Sequence, residues 1–203
     1  MTAGERPTFW IVADPNGSGK SSLYGNTEIE AFDQSVWIIN PDLLTQRIQI
    51  VENLPLETAN VEAVVRIEAW LEASIRAHQT VGVETVLSTD KYRRLVTEAK
   101  RMQFAVRLIF VMLNSPDINV RRVRLRVAKG GHDVPEASIR KRWDRSLAQL
   151  PWFLEPADQA ALFDNPGAVP QLIGQKRQGA ITIDPGAPIA LREALGLARR
   201  RTK

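Results

Sequence analysis

Cysteine is absent from the 203 residues and histidine occurs only twice. Disulfides, thiolate nucleophiles and Cys-ligated metals are therefore excluded, and little is left for a His-built metal site. Any metal is expected to be Mg²⁺ held by oxygens. No run approaches the ~18 apolar residues of a membrane span, and MTAGERP lacks the basic-then-apolar pattern of a leader, so a cytoplasmic protein without membrane contact is expected. An excess of positive charge in the body is also lacking. The net charge of +4 is matched by Arg199, Arg200, Arg201 and Lys203 at the end, so the tail reads as solvated and nucleic acid is not the expected partner. Hydrophobic residues make up 44% of the chain, enough for the core of one domain spanning residues 1–203.

What the chain does have is DPNGSGKSS, residues 14–22, directly after the apolar run TFWIVA. Strand followed by Gly-rich turn, Lys and hydroxyl is the order of a phosphate-binding loop. Backbone N–H groups ring the phosphates, the Lys reaches the β/γ oxygens and the hydroxyl ligates Mg²⁺. Pro15, Asn16, Gly17, Ser18, Gly19, Lys20, Ser21 and Ser22 are the candidate nucleotide-binding residues, with Ser21 on the metal. Ser22-Leu23-Tyr24 is expected to open a helix whose positive end faces the phosphates. Asp14 stands where the motif ordinarily has glycine. It brings a carboxylate near a polyphosphate, and a Cβ where the turn favours none.

Apolar runs near 8–13, 35–39, 80–86, 104–113 and 160–164 alternate with helical periodicity. This pattern predicts an α/β fold, a parallel sheet flanked by helices on both faces. Between the second and third runs, Val61, Val64, Val65, Glu68, Trp70, Leu71 and Ile75 mark an apolar stripe on a helix over 57–77. Ligands of such sheets bind beyond the carboxyl ends of the strands. Asn40-Pro41-Asp42, Glu84-Thr85 and Ser88 should therefore gather beside the loop. Asp42 reads either as the N-cap of a helix over 43–51 or as a carboxylate that accepts a proton from an attacking hydroxyl. Glu84, inside an apolar strand, needs a partner, either a substrate hydroxyl or a metal-bound water.

Ser115-Pro116 and Gly130-Gly131 bracket a helix over 117–129 with Val120, Val123 and Val127 on one face and Arg122, Arg126 and Lys129 on roughly the other. Asp133 and Glu136 have capping-box spacing and predict a second helix through Leu150 that carries Arg140 and Arg142. Together, 116–150 reads as a helical lid whose arginines could meet a transferring phosphoryl group, or as solvated charged faces. His132, between the helices, reads as a structural hydrogen-bonding residue of the turn ahead of the alternative, a general base.

The ensemble DPNGSGKSSL, INPD, VETVLS, RVRLRVAKGGHDVPEASIRKRW and LFDN, in this order from Phe9 to Lys176, resembles the zeta-toxin family of P-loop kinases, in its chromosomal branch. The resemblance implies a P-loop kinase-like fold and transfer of the γ-phosphate of ATP or GTP to the 3′-hydroxyl of the aminosugar in UDP-N-acetylglucosamine. It also implies roles: Lys20 on the β/γ-phosphates, Ser21 on Mg²⁺, Asp42 as the base, and Glu84 and Thr85 on the sugar. Arg126 with Arg140 or Arg142 would neutralise the transferring group. Ser88 and Arg122 are further substrate-side candidates. Asp164-Asn165 resembles the nucleotide-base edge, although a turn before Pro166 accounts for it equally. A small antitoxin protein is the partner implied.

Overall fold

In a computed structural model, residues 6–19, 36–130, 133–167 and 169–197 are described. Their strands are β1 (Thr8–Ala13), β2 (Ile38–Ile39), β3 (Val81–Thr85), β4 (Ala105–Met112), β5 (Gln159–Asp164), β6 (Gln171–Arg177) and β7 (Ala180–Ile183). They form one sheet in the order β2-β3-β1-β4-β5-β6-β7. The first five in that order run parallel. β6 and β7 add an antiparallel edge. The helices are α1 (Pro41–Glu52), α2 (Leu56–Arg76), α3 (Arg93–Arg101), α4 (Pro116–Ala128), α5 (Glu136–Leu154) and α6 (Ile189–Ala194).

All six residues of β1 are buried, because it lies between β3 and β4 and both its faces are covered. Phe9, Ile11 and Ala13 join the main core, with Ile67 and Leu71 of α2, Leu95 and Val96 of α3, and Trp143, Leu147 and Leu150 of α5. Trp10 and Val12 point the other way, to Ile109, Val111 and Phe163.

Several helix expectations are corrected. The buried face of α2 is Ala59, Ala63, Ile67, Leu71, Ser74 and Ile75, whereas Val61 and Val65 are exposed. Small alanines at i, i+4 spacing admit close approach to α1, and the larger valines lie off that line. The N-cap of α1 is Asn40 and not Asp42: its Oδ1 accepts from the backbone N–H of Asp42 at 2.9 Å and of Leu43 at 3.2 Å. Ser115 caps α4 as expected. The capping box at Asp133 does not form, since α5 starts after Pro135 with no side-chain cap, and it continues through Pro151 to Leu154.

α5 packs against the sheet. Trp143 and Leu147 lie in the core, Trp143 Nε1 donates to Leu113 O at 3.1 Å, and Ser146 Oγ donates to Val86 O. Lys176 of β6 donates to the carbonyls of Leu154 and Glu155 at the far end of α5, 2.8 Å each, where a helix favours a cation.

Candidate active site

The carboxyl ends of β2, β3 and β1, together with α4 and α5, enclose a cleft of about 570 Å³. It is lined by Asp14, Asn16, Gly17 and Gly19 from the loop after β1, by Asn40, Asp42, Glu84, Thr85 and Ser88 after β2 and β3, and by Arg122, Arg126 and Arg142 from the helices. Lys20, Ser21, Ser22 and His132 lie outside the described residues.

The loop is held from two sides. Asn119 of α4 donates its amide to Asn16 O at 2.8 Å and to Ser18 Oγ at 3.0 Å. Asn165, just past β5, donates to Ser18 O at 2.7 Å. Ser18 is wholly buried, and its hydroxyl closes the turn on Pro15 O at 2.8 Å. Gly17 and Gly19 have φ of +85° and +89°. A Cβ on Gly17 would stand 3.0 Å from Asn119 O, and one on Gly19 would stand 2.5 Å from Asn165 Nδ2. Both positions therefore require glycine for backbone angle and for space. Asp14 does not: it is absent from the residues with positive φ, and its N–H donates to Thr85 O at 3.0 Å, tying the loop to β3.

Asn40 Nδ2 donates to Glu84 Oε2 at 2.9 Å, so a neighbouring side chain is one partner of the buried carboxylate. Asp42 is exposed at the cleft wall, one residue into α1. Thr85 Oγ1 accepts from Leu87 N–H at 3.0 Å and sets a turn in which Leu87, 2% exposed, has φ of +58°. A buried leucine in the left-handed region is strained, and such strain is common where a turn must aim residues at a ligand. Here it turns Val86 and Ser88 into the cleft.

Of the arginines, Arg122, Arg126 and Arg142 reach the cleft and Arg140 does not. Arg142 Nη1 donates to Asn16 Oδ1 at 3.0 Å. Arg140 is instead ion-paired at 2.7 Å with both Asp117 and Glu136. These guanidinium contacts hold the Asp117 and Glu136 carboxyls below their ordinary range. Residues two apart on a helix project to different sides, so one of the pair had to turn away. Asp164 and Asn165 are both buried, and their Oδ1 atoms have no partner among the described residues. Burial pushes the Asp164 carboxyl up, with the Asn165 N–H and Arg122 offsetting part of the effect.

Asn119 and Lys91 belong to the site's surroundings and were not anticipated. Asn119 is one helical turn before Val123 on the buried face of α4, where a polar residue in an apolar stripe is a legible signal. Lys91, in the segment after β3, lines the cleft with Tyr92 and Val64.

No family model matches the chain. It is 29% identical over 145 residues to an uncharacterized protein of Haemophilus influenzae, an alignment covering 68% of this chain and 99% of that one. Among solved structures, it superposes on a chain of the AvrRxo1-ORF1:-ORF2 complex with ATP with a TM-score of 0.69 at 12% identity, covering 89% of this chain. It spans 61% of that chain's length. A chain of the PezAT chromosomal toxin-antitoxin system of Streptococcus pneumoniae gives a TM-score of 0.66 at 12% identity, covering 98% of this chain and 82% of that one. The fold is thus an α/β fold, a mainly parallel sheet flanked by helices, similar to that of these two solved chains. Among the described residues no helix is long and apolar enough to cross a membrane.

Proposed function

We propose that the protein is a small-molecule kinase that moves the γ-phosphate of ATP or GTP to a sugar hydroxyl, with the 3′-hydroxyl of UDP-N-acetylglucosamine as the acceptor. The observation that carries this reading is one cleft in which a doubly anchored phosphate loop faces Asp42 and Glu84, with three arginines alongside. Pro15 to Gly19, with Lys20, Ser21 and Ser22, hold the triphosphate, while Asp164 and Asn165 support the base side of the loop. Asp42 accepts the proton of the acceptor hydroxyl as its oxygen bonds to the γ-phosphorus, and the bond to the β–γ bridging oxygen breaks to release the nucleoside diphosphate. Glu84, steadied by Asn40, and Thr85 orient the acceptor, with Ser88 beside them. Arg122, Arg126 and Arg142 spread the charge of the transferring group; Arg140 is left out of this set because its carboxylate partners occupy it.

Among the described residues no group of three or more Asp, Glu, His or Cys could hold a metal ion by itself. Mg²⁺ carried in by a nucleotide keeps several of its waters and needs few protein ligands. Ser21 is the residue assigned to it, and the ion would neutralise charge on the phosphates.

A nucleotide binder with little turnover is the reading that Asp14 motivates. Its ordinary backbone angle removes the steric half of that case. A small antitoxin partner, as in the toxin-antitoxin system of the PezAT structure, belongs to the same proposal. The test is mass spectrometry of UDP-N-acetylglucosamine incubated with protein, Mg²⁺ and ATP or GTP, beside Asp42→Asn and Lys20→Ala. A gain of one phosphate lost in both variants is expected. No gain with nucleotide still bound would move the acceptor to another hydroxylated metabolite, and activity in Asp14→Gly alone would support the impaired-loop reading.

A further inference from the structure

Arg140 and Arg142 stand two residues apart on α5 in opposite electrical surroundings. Arg140 meets the carboxylates of Asp117 and Glu136 at 2.7 Å each, and their charge offsets its own. Arg142 meets a neutral amide instead: its Nη1 donates to Asn16 Oδ1 at 3.0 Å, in the cleft. An amide oxygen directs a guanidinium by accepting from it but carries no net charge, so the positive charge of Arg142 is not spent on the contact.

Both ends of this contact are anchored elsewhere. The Asn16 carbonyl accepts from Asn119 of α4 at 2.8 Å, and Ser18, two residues on, is gripped by Asn119 and Asn165. On α5, the neighbouring Trp143 donates to Leu113 O, and Ser146, one turn further, donates to Val86 O. Asn16 is therefore the residue at which the loop meets both arginine-bearing helices, α4 through its carbonyl and α5 through its side chain. An arginine side chain without such a contact samples many rotamers, and ordering it beside a reacting group carries an entropic cost.

We propose that the Asn16 side chain is a positioning residue for Arg142: it orders the guanidinium beside the phosphate loop and leaves it charged, so that the charge is in place before negative charge develops on a phosphoryl group. That this group is in transfer to an acceptor rests on the kinase reading; the pairing of Asn16 with Arg142 does not. Asparagine matters here by being neutral as well as by its reach. An aspartate of the same shape would give Arg142 the kind of partner that Arg140 has.

The test is a double-mutant cycle on the full chain with Asn16→Ala, Arg142→Ala and both together, folding being checked by circular dichroism. Calorimetry measures binding of ADP with Mg²⁺, with and without aluminium fluoride, which stands for the transferring phosphoryl group. The ratio of the two affinities is the readout, because general damage to the loop weakens both and cancels. Each single variant should lower the ratio about tenfold, the loss expected for one charge-assisted contact. The double variant should match Arg142→Ala within about twofold, because Asn16 then has nothing left to position. A further tenfold fall in the double variant, or a wild-type ratio in Asn16→Ala, would overturn the proposal. Asn16→Asp should lower the ratio at least as far as Asn16→Ala, and an unchanged or higher ratio would overturn the argument from neutrality. Steady-state kinetics with UDP-N-acetylglucosamine give the second arm: kcat should fall in Asn16→Ala with KM for the acceptor unchanged, and should fall no further when Arg142→Ala is already present. Coupling in the aluminium fluoride complex, with no phosphoryl transfer to any hydroxyl, would sink the kinase reading and leave the pairing standing.

Discussion

Asn40 donates to Glu84 across 2.9 Å with one end of its amide while the other end caps α1, the helix that carries Asp42. One side chain thus touches both Glu84 and the helix that carries Asp42, on the β2 and β3 side of the cleft. Losing it removes a helix cap and a hydrogen bond to a buried charge at once.

Asn40→Ser keeps a good cap and gives up the amide, whereas Asn40→Ala gives up both. Caps of this kind contribute about 1 kcal/mol. Chemical denaturation should therefore find Asn40→Ala less stable than Asn40→Ser by roughly that amount. Phosphoryl transfer should fall in both, because Glu84 loses its donor in either case. Full activity in Asn40→Ser would show that the Asn40–Glu84 contact does not matter to the reaction.

Gly17→Ala and Gly19→Ala should each weaken ATP-analogue binding more than tenfold, a loss of about 1.4 kcal/mol or more. In each, a left-handed angle coincides with a contact of 3.0 Å or less to Asn119 or Asn165. Gly130→Ala is the control: its φ is +84° with nothing within 4 Å, so only backbone strain is added. Its analogue affinity should stay near that of the wild type.

Asn119→Ala removes two hydrogen bonds to the loop, each worth about 1 kcal/mol. Nucleotide affinity and thermal stability should fall together, and a saturating nucleotide should restore much of the lost melting temperature by mass action. Unchanged nucleotide affinity would mean that the loop keeps its shape without α4.

Arg142→Ala should lower kcat by at least tenfold with little change in melting temperature, while Arg140→Ala should leave kcat near the wild-type value. Arg142 faces the cleft, and Arg140 is engaged with Asp117 and Glu136. The opposite ranking in steady-state assays would exchange their roles.

Burial raises the Asp164 carboxyl above its ordinary 3.8. Protonated, the group suits its surroundings, so its contribution to stability is complete below the ordinary value and declines as pH rises through the raised one. Asp164→Asn should therefore stabilise the protein at neutral pH and give no gain at low pH, as read from melting temperatures between pH 3 and 7. Asp158 behaves in the opposite way. Burial acts against its charge, but Lys100 and the Val106 N–H outweigh burial and lower its pKa, so its share of stability is lost on acidification.

The strand at Thr8–Ala13, the glycines after it and the placement of Asn40, Asp42 and Glu84 on one sheet edge were legible because each depends on local pattern. Continuous apolar runs mark central strands, and parallel order sends their ends to one side. The antiparallel edge from Gln171 to Ile183 was not legible. QLIGQKR is more than half polar with one-sided burial, and AITI is only four residues long and mostly exposed, so neither supplies the long apolar run that marked the central strands. The face of α2 was misread for a related reason. Its valines are more hydrophobic than its alanines, but helix-to-helix distance, a property of the assembled fold, selects the small side chains.

By itself, the sequence determined the loop, its glycines and the order of the groups around it, because backbone angles and strand polarity follow from residues near one another in the chain. Only the tertiary structure decided which partners those groups take. Arg142 and not Arg140 meets Asn16, Asn119 holds a loop 103 residues away, and Lys91 is left beside Glu68 at 3.7 Å. Those choices depend on how α2, α4 and α5 are placed against the sheet. That placement is set by packing over the whole core, and no local pattern records it.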